Sequence, residues 1–127
     1  MKKLFYLAFL VLGVACSSPT KEQQAAWAAE GYYRHLAAGE FEQFLAGRTG
    51  GDSLPAAYRE QLLAGCRQFL FQQQKVHQGI SEVSVTNART DTLAGYTSVF
   101  LLLCFGDSTQ EEIVVPMVEH DGRWLMK

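Results

Sequence analysis

The sequence predicts an α+β fold in which three helices precede an antiparallel β-sheet. Apolar residues recur at helical spacing up to about residue 74, and their period changes to two from about residue 80 onward. The last third of the chain contains strand-like runs at residues 96–105, 112–118 and 123–126, the last two joined by the hairpin sequence Asp121-Gly122. Helices followed by strands, without alternation, are typical of an α+β domain.

The helices are predicted from caps and apolar stripes. Thr20 and Gln23 match a capping box, and the helix that they open should end at about Ala38, before Gly39. A short second helix should follow at residues 41–45. A third should cover residues 54–74, with Asp52 or Ser53 as its cap. The apolar stripe that we expect this third helix to bury contains Tyr58, Leu62, Cys66, Phe69 and Leu70.

The predicted strand 96–105 is apolar on both faces. One face carries Tyr96, Ser98, Phe100, Leu102 and Cys104, and the other carries Thr97, Val99, Leu101, Leu103 and Phe105. A strand with one solvated face would alternate apolar with polar residues, so both faces should be covered. Helices of the same chain can cover one face. The other face needs a partner subunit, a ligand or a tight curl of the sheet. Pro116 predicts an edge position or a bulge in the following strand, because proline donates no ladder hydrogen bond.

The N-terminal segment has the form of an export signal. Lys2 and Lys3 precede an apolar run at residues 4–12, which is too short to span a bilayer as a helix. The sequence Gly13-Val14-Ala15-Cys16 resembles a bacterial lipobox, whose cysteine is lipidated after cleavage. We therefore expect a signal peptide at 1–15, a lipidated tether at 16–21 and one domain at 22–127. An ordinary secreted protein cut near Ala15 is the alternative.

The charge of the exported product argues against nucleic-acid binding. Loss of residues 1–15 removes Lys2 and Lys3, leaving nine basic and thirteen acidic side chains. Phosphate binding needs a basic surface, and the rest of the chain contains no cluster of Lys or Arg. We expect the protein to be attached to a membrane of the cell envelope through lipid on Cys16. Ser17 indicates the outer membrane, and the lack of an acidic run after it indicates the side that faces the periplasm.

Two further cysteines, Cys66 and Cys104, lie in a chain destined for a compartment that permits disulfides. A bridge between them requires the middle of a helix and the end of a strand to meet within about 7 Å between Cα atoms. The alternative is that both are small core residues.

Two motifs resemble those of the NTF2-like superfamily. Tyr32-Tyr33-Arg34-His35-Leu36-Ala37-Ala38-Gly39-Glu40-Phe41 is similar to the end of its first helix, and the closing Val118-Glu119-His120-Asp121-Gly122-Arg123-Trp124-Leu125 is similar to its last hairpin. Behind a lipoprotein signal, the chain resembles DUF4878-type members from Bacteroidota. The resemblance implies a curved antiparallel sheet wrapped around helices, an internal cavity, and often a homodimer across the sheet face.

No catalytic residue, cofactor or metal is predicted. Enzymes of this superfamily place an aspartate or a histidine–aspartate pair inside the cavity, and no such motif can be matched here. The three histidines His35, His77 and His120 do not share metal-ligand spacing. Both cysteines lie on apolar stripes, where burial raises the pKa of a thiol and lowers its reactivity.

A pocket lined by aromatic and small polar residues is the remaining candidate site. The residues that we expect to line it are Tyr33, Phe69, Ser98, Phe100 and Trp124. We expect a non-enzymatic, lipid-anchored envelope protein that binds a small apolar ligand or an envelope protein partner. A small cavity enzyme of the isomerase, dehydratase or hydrolase class is the alternative, with His35 as its candidate titratable group.

Overall fold

A computed structural model describes residues 18–127 as three helices, one 3₁₀ turn and a four-stranded sheet. The signal peptide, the lipobox and Cys16 lie outside the described residues. The elements in chain order are α1 (Lys21–Ala37), α2 (Phe41–Ala46), a 3₁₀ turn (Gly51–Ser53), α3 (Ala56–His77), β1 (Ile80–Asp91), β2 (Tyr96–Phe105), β3 (Gln110–His120) and β4 (Arg123–Met126). The predicted α+β class is confirmed, and none of the described helices is long and apolar enough to cross a membrane.

The sheet is an antiparallel meander in the order β1-β2-β3-β4. Strand β4 is short and pairs with β3 only through Met117–His120, so the first part of β3 has β2 as its one strand neighbour in the described chain. Pro116 lies at this boundary, opposite Ser98 of β2, and its carbonyl accepts a hydrogen bond from the Lys127 amide at 2.8 Å. The position agrees with the prediction of a local edge, where a missing N–H breaks no ladder.

Helix α1 lies directly on the sheet because its contact face is built from alanine. Its predicted capping box is present, with the Thr20 hydroxyl accepting from the Gln23 amide and the Gln23 side chain accepting from the Thr20 amide. Ala25, Ala26 and Ala29 are 0–6% exposed and pack in one cluster with residues of β1, β2, β3 and β4. Small side chains allow the helix backbone to approach the sheet closely.

The two apolar faces of β2 are covered to different extents. The face toward α1, formed by alternate residues from Thr97 to Phe105, is 0–4% exposed, whereas the opposite face is half-buried. On this outer face the Arg89 guanidinium lies 5.3 Å from the centre of the Phe100 ring, and the Lys127 ammonium lies 5.0 Å from that of Tyr96. Part of the cover that we expected from a partner or ligand is therefore supplied by cationic side chains of the same chain.

Helix α3 differs most from its prediction. It begins at Ala56, and Pro55 occupies the N-cap without a side-chain hydrogen bond, so neither Asp52 nor Ser53 caps it. Only Leu63 and Cys66 of its 22 residues are buried. Of the stripe expected in the core, Tyr58 and Phe69 are exposed and Leu62 and Leu70 are half-buried. The helix thus keeps an apolar stripe that is not packed against the sheet.

The C-terminal end of α3 is attached to the hairpin between β2 and β3. His77 stacks on Phe105 with ring centres 4.5 Å apart, and its Nδ1 lies 3.1 Å from Oδ2 of Asp107. The Thr109 amide and hydroxyl both donate to the other oxygen of Asp107. These hydrogen bonds, led by those from Thr109, lower the pKa of Asp107 to about 2.

Candidate functional site: an apolar cavity beneath helix α3

An apolar cavity of about 420 Å³ lies between α3 and the sheet. Its lining comes from four elements besides α3: α1, α2, β2 and β3. The lining residues are Tyr33, Leu36, Phe44, Gln61, Leu62, Gly65, Cys66, Phe69, Leu103, Glu111 and Ile113. A volume of this size is within the range of small-molecule sites, which are mostly apolar with few polar groups.

The cavity exists because the stripe of α3 stands away from β2 and β3. Leu62, Cys66 and Phe69 are spaced by four and three residues, so they share one helix face, and all three line the cavity. Between them lies Gly65, where an added Cβ would meet no heavy atom within 4 Å. A glycine inside a helix costs about 1 kcal/mol relative to alanine. Here its missing side chain leaves part of the cavity open.

Tyr33 and Phe44 form an aromatic pair in the lining of the cavity. Their rings meet edge to face, with centres 5.3 Å apart and planes at 82°. Both residues also line a second, smaller cavity of about 250 Å³, together with Arg48, Val115 and Met126 among others. The aromatic pair is therefore shared by an apolar cavity and a smaller space whose lining contains an arginine.

Burial controls the ionisation of the two reactive groups in the lining. It raises the pKa of the Tyr33 hydroxyl, and the nearby Arg48 opposes this in part. Burial likewise raises the pKa of the Cys66 thiol, again opposed by Arg48. Both groups are therefore protonated at neutral pH, which makes Cys66 a poor nucleophile.

Glu111 is the one acidic side chain among the described residues that line the cavity. No histidine or aspartate is among its lining residues, and Glu111 is exposed. Within residues 18–127 no three His, Cys, Asp or Glu side chains are grouped closely enough to hold a metal ion. Nucleophilic catalysis needs a base within hydrogen-bond reach of the nucleophile. The arrangement can hold an apolar molecule, and no hydrogen bond from the Cys66 thiol to a base is formed among residues 18–127.

The structure brings together two of the five residues predicted to line a pocket. Tyr33 and Phe69 both line the cavity. Ser98 and Phe100 project from the opposite face of β2, because residues of even number in this strand point away from α1. Ser98 there lines a separate pocket of about 430 Å³ with Arg89 and Tyr96.

Trp124 lies near the start of α1, away from the cavity. Its indole N–H donates to Oε1 of Gln24 at 3.3 Å, and its carbonyl accepts from the Tyr32 hydroxyl at 2.7 Å. Its role is to join β4 to α1.

The disulfide between Cys66 and Cys104 is not formed. Both thiols are free. Cys66 faces the cavity, whereas Cys104 is on the outer face of β2 beside Gln110, whose side-chain amide lies 3.7 Å from its sulfur. The sheet itself separates them, since alternate residues of one strand point to opposite faces.

The histidines all lie outside the cavity and next to carboxylates. The Nδ1 atom of His35 is 3.0 Å from Oε1 of Glu40, and its side chain is 41% exposed. His77 belongs to the contact with Asp107, and Nε2 of His120 lies 3.4 Å from Oδ2 of Asp121. The proposed role of His35 as an acid or base inside the domain is therefore not supported by its position.

Sequence reasoning missed most of the cavity lining. Leu62 was predicted in the buried stripe of the third helix and Ile113 in a strand, and Cys66 was considered as a disulfide, core or nucleophilic residue. The usable signal was the stripe of α3 itself, which contains Leu62, Cys66 and Phe69 around Gly65. A glycine in the middle of an apolar helix stripe has no side chain to fill the space next to the helix, and this can indicate a cavity.

Comparison with known proteins identifies the fold. No protein-family model matches the chain, and no curated protein matches it either. Among solved structures, the crystal structure of an NTF2-like protein from Campylobacter jejuni, which carries the provisional name of a transpeptidase, is similar with a TM-score of 0.62. The two share 10% sequence identity over 77% of this chain and 92% of the other. The described part of the chain therefore has an NTF2-like α+β fold.

Proposed function

We propose that this protein is a non-enzymatic binding protein of the cell envelope that holds a small apolar ligand in the cavity beneath α3. The observation that carries the proposal is the cavity itself, about 420 Å³ in volume and lined mainly by apolar side chains. Apolar surface left open beneath a helix of a small domain is a feature of ligand sites. The protonated state of the Cys66 thiol argues against covalent catalysis by this residue, including a transpeptidase reaction.

The two free cysteines allow a direct test. Cys66 lines the cavity and Cys104 lies on the outer face of the sheet, so alkylation of the two can be followed separately by mass spectrometry in the same sample. We expect 1-octanol, used as an apolar probe, to slow alkylation of Cys66 and to leave that of Cys104 unchanged. Equal effects of octanol on both thiols, or no effect on Cys66, would reject ligand binding in the cavity.

A cavity-filling variant supplies the matched control. Gly65→Leu adds a side chain where the cavity has free space, so Cys66 should react slowly even without octanol, and octanol should add little. Ala64→Leu adds the same side chain at the neighbouring exposed position of the same helix. It should retain the response of the unmodified protein to octanol.

We also propose attachment to the membrane by lipid on Cys16, as in a DUF4878-type lipoprotein of the outer membrane facing the periplasm. The support is the export signal and the short spacing of four residues between Cys16 and the start of α1 at Lys21. Several acyl chains would hold the protein firmly, because each buried methylene contributes about 0.8 kcal/mol. Cys16→Ala should release the protein from the membrane pellet, and retention of the variant would contradict the anchor.

A second copy of the chain is the partner that we propose for the outer face of the sheet. This face presents Phe100 and Leu102, half-buried, and Val114, which is 53% exposed. Native mass spectrometry of the full chain should show a dimer, and Val114→Arg should shift it to the monomer by placing a charge in the interface. A monomer in the unmodified protein would reject this partner.

A further inference from the structure

Arg48 occupies a defined position next to the cavity and has no carboxylate partner there. Its amide donates to the Leu45 carbonyl at 3.1 Å, its carbonyl accepts from the Gly51 amide at 2.9 Å, and its backbone bridges Met126 at the end of β4. The side chain lines the smaller cavity and is half-buried. None of the ion pairs formed among residues 18–127 includes Arg48.

The two cavities adjoin at the Tyr33–Phe44 pair, which lines both of them. A single ligand that contacts this pair could therefore occupy both. The larger one is apolar, and the lining of the smaller one adds two cationic residues, Arg48 and Lys127. A half-buried guanidinium with no acidic partner is suited to an anionic ligand group, because it offers planar, paired donors. The positive charge of Arg48 acts to lower the pKa values of Tyr33 and Cys66, both of which line the larger cavity. Arg48 therefore interacts electrostatically with groups in that lining.

We infer that the ligand is an anionic amphiphile, with its hydrocarbon chain in the apolar cavity and its acid group against Arg48. This inference rests on the proposed ligand-binding function and specifies the chemical class of the ligand. The other charges near the cavities do not favour a cation. Glu111 lines the larger cavity but is exposed on β3, where water screens its carboxylate. Lys127 lines the smaller cavity together with Arg48 and is a second cationic residue there, with its ammonium 5.0 Å from the centre of the Tyr96 ring.

The test compares three probes of equal chain length on the full chain: octanoate, 1-octanol and octylamine. The readout is the probe concentration that halves the alkylation rate of Cys66, with Cys104 as the internal reference. We expect octanoate to act at about one-tenth of the concentration of octanol, since a charge-assisted hydrogen bond is worth about a factor of ten or more. Octylamine should be no better than octanol.

Two arginine variants assign the effect to its source. Arg48→Met keeps an apolar stem of similar reach and removes the charge, so octanoate and octanol should become equivalent while octanol itself still protects Cys66. Arg34→Met is the control, because Arg34 is exposed and paired with Glu30 on α1. It should preserve the tenfold preference for octanoate.

The possible failures are distinguishable. Equal protection by octanoate and octanol in the unmodified protein, or a preference for octylamine, would overturn the anionic ligand and leave the apolar binding function in place. An octanoate preference that survives in Arg48→Met would overturn the assignment to this residue. Failure of all three probes to protect Cys66 would overturn the binding function as well.

Discussion

Helices α1 and α3 face the same sheet, yet one is packed against it and the other is held away. The contact face of α1 consists of alanines that are almost completely buried against the strands. The corresponding face of α3 carries Leu62 and Phe69, which together with Cys66 border a cavity instead of filling it. Small residues permit close approach of two backbones, whereas large ones fill space only if they interdigitate with the opposite surface. The molecule thus has a close-packed interface under α1 and accessible apolar surface under α3.

The largest difference between the two regions should appear on truncation of a leucine in each. Leu101→Ala removes a completely buried side chain of β2 from the cluster beneath α1 and should cost about 2–5 kcal/mol of unfolding free energy. Leu62→Ala removes a half-buried side chain that already borders a cavity, and should cost about 1 kcal/mol. Urea unfolding of both variants measures the difference. Equal costs would mean that α3 is packed as tightly as α1.

Enlarging a side chain should also distinguish the two helices. Ala29→Leu forces additional volume between α1 and the sheet, where Ala29 is fully buried, and should destabilise the domain by about 1–3 kcal/mol. Ala64→Leu on the exposed side of α3 should change stability by no more than about 0.5 kcal/mol. The shift in urea midpoint of each variant tests the prediction. Tolerance of leucine at residue 29 would show that α1 has space beneath it.

Two hydrogen bonds join α1 to Trp124 of the last strand, and removal of the one from Tyr32 should have an intermediate effect. The Tyr32 hydroxyl donates to the Trp124 carbonyl at 2.7 Å. Tyr32→Phe keeps the ring and leaves that carbonyl without this donor, so a loss of about 1 kcal/mol is expected from thermal or urea unfolding. Tyr58→Phe at the exposed start of α3 is the matched control and should be neutral. An equal loss in both variants would indicate a general effect of removing a tyrosine hydroxyl.

The smallest expected effect is a loss of stability at acid pH, caused by protonation of Asp107, which contacts His77 at the end of α3. The hydrogen bonds from Thr109, with a further contribution from His77, lower the pKa of Asp107 from 3.8 to about 2 in the folded protein. The unfolded chain binds the proton more readily, so this contribution to stability is complete above about pH 4 and is lost as the pH falls toward 2.

Urea midpoints measured between pH 5 and pH 2 can isolate this contribution. Asp107→Asn should show a smaller decline over that range than the unmodified protein, and Thr109→Val should reproduce part of the change. If Asp107→Asn declined as steeply as the unmodified protein, the carboxylate would not be the source of the acid sensitivity.

Local signals in the sequence predicted most of the fold. The capping box at Thr20 and Gln23, the hairpin at Asp121-Gly122 and the bounds of β2 depend on short-range chemistry, and the structure shows all of them. The start of α3 was less predictable, since Asp52 and Ser53 are good caps by composition but are taken up in a separate 3₁₀ turn. The site was predicted in part, because Tyr33 and Phe69 could be chosen as amphipathic aromatics without knowledge of which strand face they meet.

The sequence by itself determined the class of the domain, the order of its elements and the two-sided apolar character of β2, because these depend on residue periodicity along the chain. Only the tertiary structure decided which face of β2 meets α1, which assigned Ser98, Phe100 and Cys104 to the outer side. It also decided that the stripe of α3 borders a cavity and that Arg48 lies beside it. The physical reason is that periodicity states which residues share a face, whereas the distance between two faces depends on how their side chains fit across the space between them.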